Sequence, residues 1–328
     1  MSRSLPAYVV KNLNRTQELF PDANIIFVSD AEVPASLKSE IVVIRPQFLN
    51  WPKDRIALNR DKRFWSGWWQ KTFDRLLFIR PVHALYPDRP IVQVEADVIL
   101  FPSFLSSGIL DIEKIAYPRY SSSLGIASVL YSPNFEMSLK LEQGLLNELK
   151  TNPSTSDMTA LGALASTLGD SFQELYEFEE GTNARVAQPK ELPLSGFDGA
   201  SHGEWICGRD PRAHWGIGMR LQRTPISETR TMPKYSLEEN QLYALVEGVS
   251  HKVHNLHVHS KELVFFDTKS SDVICAILDR VNGQKYSSIH TFNLQAFVFC
   301  LYSNLKIWIS SIFSFRAWKR LAKRYLVT

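Results

Sequence analysis

Two carboxylates stand at the end of a run of β-branched residues in the sequence IVQVEADVIL, which covers Ile91 to Leu100. Glu95 and Asp97 are separated by one residue, so in a strand their side chains would point to the same face. Two like charges on a partly buried face repel each other and lose hydration unless a cation or solvent compensates them. Mg²⁺ and Mn²⁺ bind carboxylate oxygens, often together with substrate phosphates. The pair therefore indicates a divalent metal site, with a solvated surface turn as the alternative.

A third carboxylate, Asp198, is a candidate general base. It lies in the sequence GFDGASHGEW, with glycines on both sides and about 100 residues beyond the acidic pair. A carboxylate in a flexible loop could deprotonate the hydroxyl group of an acceptor. Asp-Gly pairs are also common in turns, so a structural role for Asp198 is the alternative.

The segments around these carboxylates alternate between strand and helix patterns. Strands are expected in ANIIFVSD, EIVVIRP, PIVQVEADVIL, IASVLYSPN and HKVHNLHVHSKELVFF. Helices are expected in FWSGWWQKTFDRLLFI, MSLKLEQGLLNELK, TSDMTALGALASTLG and, approximately, LEENQLYALVEG. A long active-site loop is expected in ELPLSGFDGASHGEWICGRDPRAHWGIG. This alternation predicts an α/β fold with a parallel sheet and with ligand groups, including Glu95 and Asp97, at the carboxyl ends of strands.

The order strand, helix, strand and acidic E-x-D element resembles the GT-A fold of nucleotide-sugar glycosyltransferases. In that family the acidic pair coordinates a metal bound to the nucleotide diphosphate, and this chain has Glu95 in place of the first Asp. GIASVLYSPN resembles the segment that lines the donor site, and SDMTALGALA resembles the helix whose first residues face the sugar. The resemblance covers roughly residues 23–266. It implies a GT-A-like, Rossmann-type and mostly parallel sheet flanked by helices.

The sequence LHVHSKEL supplies two histidines and a lysine that alternation places on one face of a strand, namely His257, His259 and Lys261. Many metal-dependent GT-A enzymes close the site with a C-terminal His that ligates the metal and a Lys that contacts the diphosphate. The resemblance therefore implies that His259 holds the metal together with Glu95 and Asp97, with His257 as a further candidate ligand, and that Lys261 binds the diphosphate. His202 is a rival for the ligand role. A polar strand face without a metal is the alternative for both histidines.

Other charged residues are candidates for contacts with the substrates. Lys71 and Arg75, on the helix before the acidic strand, and Asp30, at the end of the first strand, would contact the sugar-nucleotide donor. Solvated helix charges explain Lys71 and Arg75 equally well. Asp157 would contact the sugar or the acceptor as a catalytic residue, and a helix N-cap at Ser156 or Asp157 is the alternative.

The C-terminal segment differs from the rest of the chain in charge and pattern. From Arg280 onward there are eight Lys or Arg and no Asp or Glu, which leaves −5 for the preceding residues out of a total of +3. Apolar residues recur every three or four positions between Phe297 and Phe315, and no apolar run is long enough to span a bilayer. A basic amphipathic helix is therefore predicted in 286–328, either bound to an anionic membrane surface or packed on the body.

Composition is consistent with a catalytic domain over 1–285. Hydrophobic residues make up 45% of the chain, enough for a substantial core. Three widely spaced cysteines favour a reducing compartment, and the N-terminal residues lack the apolar region of a secretory signal. The acidic balance of the body argues against a nucleic-acid partner.

These observations predict a cytoplasmic, peripherally membrane-attached glycosyltransferase that uses Mn²⁺ or Mg²⁺. It would move a sugar from a nucleotide-diphosphate donor to a glycan or lipid-linked acceptor. One alternative is a non-catalytic membrane-surface module with a decayed transferase fold. Another is a nucleotidyltransferase that makes nucleotide sugars, although VSDAEVPASL lacks the Gly-rich loop usual for that reaction. A two-metal phosphodiesterase is less favoured, because too few further carboxylates and histidines cluster.

Overall fold

The computed structural model of the chain describes residues 5–52, 68–176, 195–207, 233–246, 249–259, 263–267 and 271–282. Its α-helices are α1 (Ala7–Leu19), α2 (Trp68–Asp74), α3 (Ile79–Leu85), α4 (Phe135–Thr151), α5 (Asp157–Leu168), α6 (Ser201–Cys207) and α7 (Ser271–Asn282). Its first strands are β1 (Ile26–Val28), β2 (Val42–Ile44), β3 (Ile91–Val94), β4 (Val98–Leu100), β5 (Ile115–Ser121) and β6 (Leu124–Gly125). The later strands are β7 (Val129–Ser132), β8 (Phe172–Leu175), β9 (Ser195–Phe197), β10 (Lys234–Glu238), β11 (Gln241–Val246) and β12 (Val249–His257).

The described strands form one small sheet and two larger ones. Strands β1 and β2 are a parallel pair. One larger sheet has the antiparallel order β10-β11-β12-β4, with β9 parallel to β12. The other has the antiparallel order β3-β7-β5-β6, with β8 parallel to β5. The fold is therefore α/β, as predicted, with mixed sheets.

The predicted mostly parallel sheet is wrong, and connection lengths explain why. Parallel neighbours need a crossover of about a dozen residues or more. Only two residues join β5 to β6, and only three join β6 to β7. Strand β6 therefore turns back on β5, and β7 follows in the same direction as β6, so both are antiparallel to β5. Helices α4 and α5 make one genuine crossover, because β8 returns parallel to β5 after them.

The predicted continuous strand through the acidic pair is also wrong. The chain turns at Glu95–Asp97, where the Val98 amide donates to the Glu95 carbonyl over 3.0 Å. Strand β3 pairs with β7 on one side of this turn, and β4 pairs with β12 on the other. The acidic pair therefore occupies the turn that links the two larger sheets.

Helices α4 and α5 confirm their predictions, and their caps explain where they begin. The Asn134 side chain accepts from the Met137 amide over 3.0 Å, and Ser156 accepts from Thr159 over 3.1 Å. Ser156 is thus the N-cap of α5, which leaves the carboxylate of Asp157, its first residue, for other contacts. Apolar residues of both helices form a fully buried core with β5 and β7, including Leu141, Leu145, Leu161 and Leu130.

The helix predicted near LEENQLYALVEG is wrong, because these residues form the β10–β11 hairpin. Glu239 and Asn240 have φ angles of 49° and 64°, so both adopt the left-handed conformation that suits a two-residue hairpin turn. Leu242 and Ala244 are buried at alternate positions, which is the strand period. The sequence analysis also did not identify α1 and α7.

The predicted active-site loop and the predicted tail lie partly or wholly outside the described residues. The predicted active-site loop contains β9 and α6, and its residues beyond Cys207 are not described. The proposed tail, residues 286–328, is also outside. Within the part that is described, no helix is long and apolar enough to cross a membrane.

Candidate metal centre

Glu95, Asp97 and His257 converge at the turn between the two sheets. One potential ligand atom from each lies within 4.8 Å of the others. The His257 Nε2 atom is 3.0 Å from Glu95 Oε2 and 3.5 Å from Asp97 Oδ1. The three side chains are between 10% and 15% exposed, so a small ion can reach them while bulk water is largely excluded.

Strand register brings the histidine to the carboxylates across 160 residues of sequence. In the β4–β12 pair, His257 lies directly opposite Val98, the residue after Asp97. The Val258 amide then donates to the Asp97 carbonyl over 2.8 Å. Glu95 is anchored on the other side, because its amide donates to the Ser128 carbonyl over 3.1 Å. The structure thus places His257 of the HxH segment beside the acidic pair.

The orientation of the His257 ring suits a metal ligand. Its Nδ1 atom lies 2.8 Å from the Gly199 carbonyl oxygen, which can only accept, so Nδ1 carries the proton and donates. Nε2 is thereby directed at the two carboxylates. A hydrogen bond of this kind fixes the tautomer and ring orientation of metal-bound histidines.

His259 lies beside this cluster and stacks on His257, with ring centroids 4.0 Å apart and an interplanar angle of 29°. Its Nε2 donates to the Ala200 carbonyl oxygen over 3.2 Å. Burial, with a further contribution from the charge of His257, lowers the pKa of His259 to about 3. His259 is therefore neutral, and among the described residues it is His257 that joins the two carboxylates.

Arg75 connects Glu95 to Asp157. One guanidinium nitrogen, Nη1, contacts Glu95 Oε1, and the other, Nη2, lies 2.9 Å from Asp157 Oδ2. Burial would lower the pKa of Arg75, but Glu95 and Asp157 outweigh it and raise the pKa above its ordinary value. The guanidinium predicted to contact donor phosphates is thus engaged by two carboxylates.

The remaining members of the cluster have shifted pKa values for related reasons. Burial would raise the pKa of Glu95, yet Arg75 and His257 hold it below its usual range. Burial would lower the pKa of His257, yet Asp97 and Glu95 raise it well above 6.5. Burial raises the pKa of Asp157, and the nearby Arg75 opposes that shift. Metal ligation requires neutral imidazole, so an incoming cation would displace the proton from His257 Nε2.

Asp198, the predicted general base, lies in the interior and contacts the backbone of α6 and β12. Its carboxylate is fully buried and accepts three backbone hydrogen bonds. Oδ1 accepts from His202 over 3.0 Å, and Oδ2 accepts from Gly203 over 2.8 Å and from His257 over 2.9 Å. A carboxylate engaged in this way holds the start of α6 against the end of β12.

His202, the predicted rival ligand, is buried on α6 away from the carboxylates. Its Nδ1 atom lies 2.8 Å from the Tyr235 hydroxyl, and the two rings meet edge to face. Burial lowers the pKa of His202 to about 4, so the ring is neutral. Its contacts indicate a core histidine.

Residues that the sequence analysis missed support the segment that orients His257. Asn255 exchanges two hydrogen bonds with the Asp198 backbone, of 3.1 Å and 2.7 Å, and the Ser128 hydroxyl donates to the Asp198 carbonyl over 2.9 Å. Gly203 packs so closely that a Cβ atom there would lie 1.8 Å from the His257 carbonyl oxygen. No sequence pattern marks Asn255 or Ser128, since their partner is 57 and 70 residues away.

Two other predicted donor-binding residues, Lys71 and Asp30, lie outside this cluster. Lys71 is exposed on α2, one turn before Arg75. Asp30 lies two residues after β1, a strand of the small two-stranded sheet, and is exposed. Lys261 is not among the described residues.

The side chains that could ligate a metal, two carboxylates and one imidazole, suit a divalent cation of intermediate hardness. Arg75 holds one oxygen of Glu95, while Oε2 stays turned toward Asp97 and His257. Two carboxylates and one imidazole suit Mn²⁺ better than Mg²⁺, which favours an all-oxygen shell with several waters. The residues present therefore fit the predicted metal.

Comparisons of the chain with protein-family models, with curated proteins and with solved structures gave no significant match. The function is therefore inferred from the residues and their geometry.

Proposed function

We propose that the chain is a metal-dependent glycosyltransferase that uses a nucleotide-diphosphate sugar. The observation that carries this proposal is the convergence of Glu95, Asp97 and His257 from separate segments onto one small volume. A bound Mn²⁺ would neutralise the charge that develops on a diphosphate leaving group. The GT-A resemblance of the sequence supports this reaction class, although the mixed sheets give it no further support, so the proposal depends on the site.

The residues around the metal position have distinct proposed tasks. Glu95, Asp97 and His257 would hold the cation, and Arg75 would keep Glu95 in place. Asp157 begins α5 beside Arg75, and its raised pKa suits a carboxyl group that contacts a sugar or acceptor hydroxyl. Lys261 would contribute a point charge to the diphosphate.

Binding of nucleotide diphosphates in the presence and absence of Mn²⁺ tests this function. A ligand that binds only the folded state raises the unfolding midpoint by mass action. We expect one nucleotide diphosphate to raise the midpoint of the full chain only with Mn²⁺, and this shift to vanish in Asp97→Asn. The exposed Asp88→Asn should behave like the parent. An Mn²⁺-independent shift, or no shift with any nucleotide, would contradict the proposal.

The acceptor and the location follow from the basic C-terminal segment. A tail that binds anionic lipid would hold the enzyme at the cytoplasmic membrane surface, close to a lipid-linked or growing glycan acceptor. Deleting residues 292–328 should therefore release the protein from vesicles that contain anionic lipid, as measured by co-sedimentation. Unchanged sedimentation of the truncated protein would refute the anchor.

A second candidate function, a non-catalytic module with a decayed site, is favoured by one observation. Arg75 and His257 already compensate Glu95 and Asp97 without a metal. Buried ion pairs of this kind can be purely structural. Failure of Mn²⁺ to bind the intact chain would favour this function.

A further inference from the structure

We propose that α1 positions the acidic turn for metal binding, through Asn12 and Arg15. This inference rests on the proposed metal site. It concerns the edge of β4 next to Asp97, where side chains of α1 contact the backbone.

One edge of β4 is paired with β12, and among the described residues no strand pairs with its other edge. Side chains of α1 take the place of that strand. The Asn12 amide nitrogen donates to the Ala96 carbonyl over 3.1 Å and to the Val98 carbonyl over 2.8 Å. Arg15 Nη1 donates to the Leu100 carbonyl over 2.8 Å. The Val98 and Leu100 carbonyls face the same way along β4, the Ala96 carbonyl belongs to the turn before it, and positions i and i+3 share one helix face.

Both α1 side chains are fixed in place. Asn12 is 5% exposed. The Arg15 guanidinium lies 5.7 Å from the centre of the Phe101 ring. Burial, partly opposed by Glu18, lowers the pKa of Arg15 to about 10, which is consistent with a guanidinium held away from water. The contacts are thus made by side chains with little freedom to move.

With these bonds, every carbonyl of the acidic turn has a donor. The Val98 amide donates to the Glu95 carbonyl over 3.0 Å, and the Val258 amide donates to the Asp97 carbonyl over 2.8 Å. The Asn12 side chain donates to the carbonyls of the residues before and after Asp97. The direction of the Asp97 carboxylate is set by this backbone. Partners that orient metal ligands in this way typically contribute about 10- to 100-fold to metal affinity.

Helix α1 also contacts the chain that follows the histidines. Lys11 Nζ lies 2.9 Å from Asp267 Oδ2, and the Tyr8 ring lies 5.6 Å from the Phe266 ring. The helix therefore contacts both β4, with the turn before it, and the chain after β12, and these two strands bring His257 to Asp97. Loosening α1 would disturb the spacing of the ligands without removing any of them.

Asn14 provides a matched control for Asn12. It is the same residue type on the same helix and also bonds backbone, donating to Ser36 over 2.8 Å and accepting from Lys38 over 2.9 Å. Its contacts hold the loop after β1, far in sequence from the acidic turn. A general loss of helix docking would affect both variants, whereas a role at the turn is specific to Asn12.

The test is calorimetric titration of the full chain with Mn²⁺ alone, at a temperature well below unfolding. We expect Asn12→Ala to weaken Mn²⁺ binding about 10- to 100-fold and Asn14→Ala to change it less than about twofold. Arg15→Met, which loses the bond furthest from Asp97, should give a smaller effect than Asn12→Ala. Unchanged affinity in Asn12→Ala, or an equal loss in Asn14→Ala, would overturn the proposal.

Amide hydrogen exchange separates this inference from the metal site itself. Without metal, Asn12→Ala should accelerate exchange at the Val98 and Val258 amides, which close the turn, and Asn14→Ala should not. If the parent chain binds no Mn²⁺ but this exchange pattern is seen, α1 holds the turn and the metal function is wrong. If exchange at both amides is unaffected, α1 does not position the turn.

Discussion

At the scale of single residues, Arg75 compensates the negative charges of two carboxylates in the acidic cluster. Its guanidinium is shared between Glu95 and Asp157, which belong to elements 62 residues apart in the sequence. The sequence predicted that two close carboxylates need a compensating cation. It could not predict that an arginine on the preceding helical segment supplies one, because Arg75 and the exposed Lys71 look alike in the helical pattern.

Replacing Arg75 should leave two poorly compensated carboxylates. We expect Arg75→Met to lower the free energy of unfolding by about 3 kcal/mol, at the low end for a broken buried pair because the Arg75 side chain is 27% exposed. Urea denaturation measures the change. Adding Asp157→Asn should restore part of the loss, since one of the two negative charges disappears.

The pair Arg119–Glu174, at 3.6 Å, is the control for this prediction. Arg119→Met should lower the free energy of unfolding less than Arg75→Met, because Arg119 has one longer carboxylate contact where Arg75 has two. An Arg75→Met variant as stable as Arg119→Met would show that Arg75 does not compensate the cluster.

The alternation of side chains along a strand predicts that two residues share a face, but not which of them contacts a third group. It predicts His257 and His259 on one side of the chain, and their ring centroids are 4.0 Å apart. Which ring faces the carboxylates depends on the carbonyls of Gly199 and Ala200, from a segment about 58 residues earlier. Such a long-range choice leaves no mark in the local pattern.

At the scale of elements, the sequence predicts those helices whose caps and apolar faces are set by neighbouring residues. Helices α4 and α5 have caps and apolar faces that are visible in the sequence, and both are present. The β10–β11 hairpin was mistaken for a helix because its turn, Glu239–Asn240, has no glycine. The turn at Glu95–Asp97 was read as strand because the apolar run continues on its far side, into a different sheet.

The packing of α6 against β12 depends on Gly203. A Cβ atom at this position would overlap the His257 carbonyl oxygen, and backbone cannot move aside as a side-chain end can. We expect Gly203→Ala to lower stability by about 1–3 kcal/mol and to weaken Mn²⁺ binding, because His257 must shift. Denaturation and calorimetry measure the two effects.

Gly144, inside α4, is the matched control for Gly203. The three atoms nearest to a Cβ there all belong to the Leu164 side chain, the first at 2.2 Å, and the end of a side chain can shift where backbone cannot. Gly144→Ala should leave Mn²⁺ affinity unchanged. If Gly203→Ala also leaves that affinity unchanged, α6 does not position His257.

At the scale of the whole molecule, the fold class was predictable and the sheet arrangement was not. Alternating apolar segments indicated α/β, which the structure confirms. Sheet direction depends on which strands are joined by short turns, and the sequence pattern does not mark the two-residue turn between β5 and β6. The acidic pair nevertheless meets a histidine, because that contact requires only that β12 return beside the turn.

Buried neutral histidines should make the stability of the molecule fall in acid. Burial, with a contribution from Lys252, lowers the pKa of His254 from 6.5 to about 4, and burial does the same for His202. Between pH 6.5 and 4 the unfolded chain binds more protons than the folded one, so stability decreases as pH falls. Each histidine contributes up to about 3 kcal/mol over this window.

Urea denaturation of the parent and His254→Gln at several pH values isolates one of these contributions. The difference in stability between the two proteins should shrink as pH falls from 6.5 to 4, because Gln does not titrate. His257, whose pKa is raised, loses its contribution only as pH rises through its folded-state pKa, above 6.5. A difference that stays constant across the window would show that His254 is not buried neutral.

The most direct test of the metal centre is pulsed electron paramagnetic resonance of Mn²⁺ bound to the full chain. We predict nitrogen coupling from one directly bound imidazole, present in the parent and in His259→Gln and absent in His257→Gln. That result would establish the mixed carboxylate and imidazole site at the turn between the two sheets. Bound Mn²⁺ without nitrogen coupling, or coupling that survives His257→Gln, would contradict it.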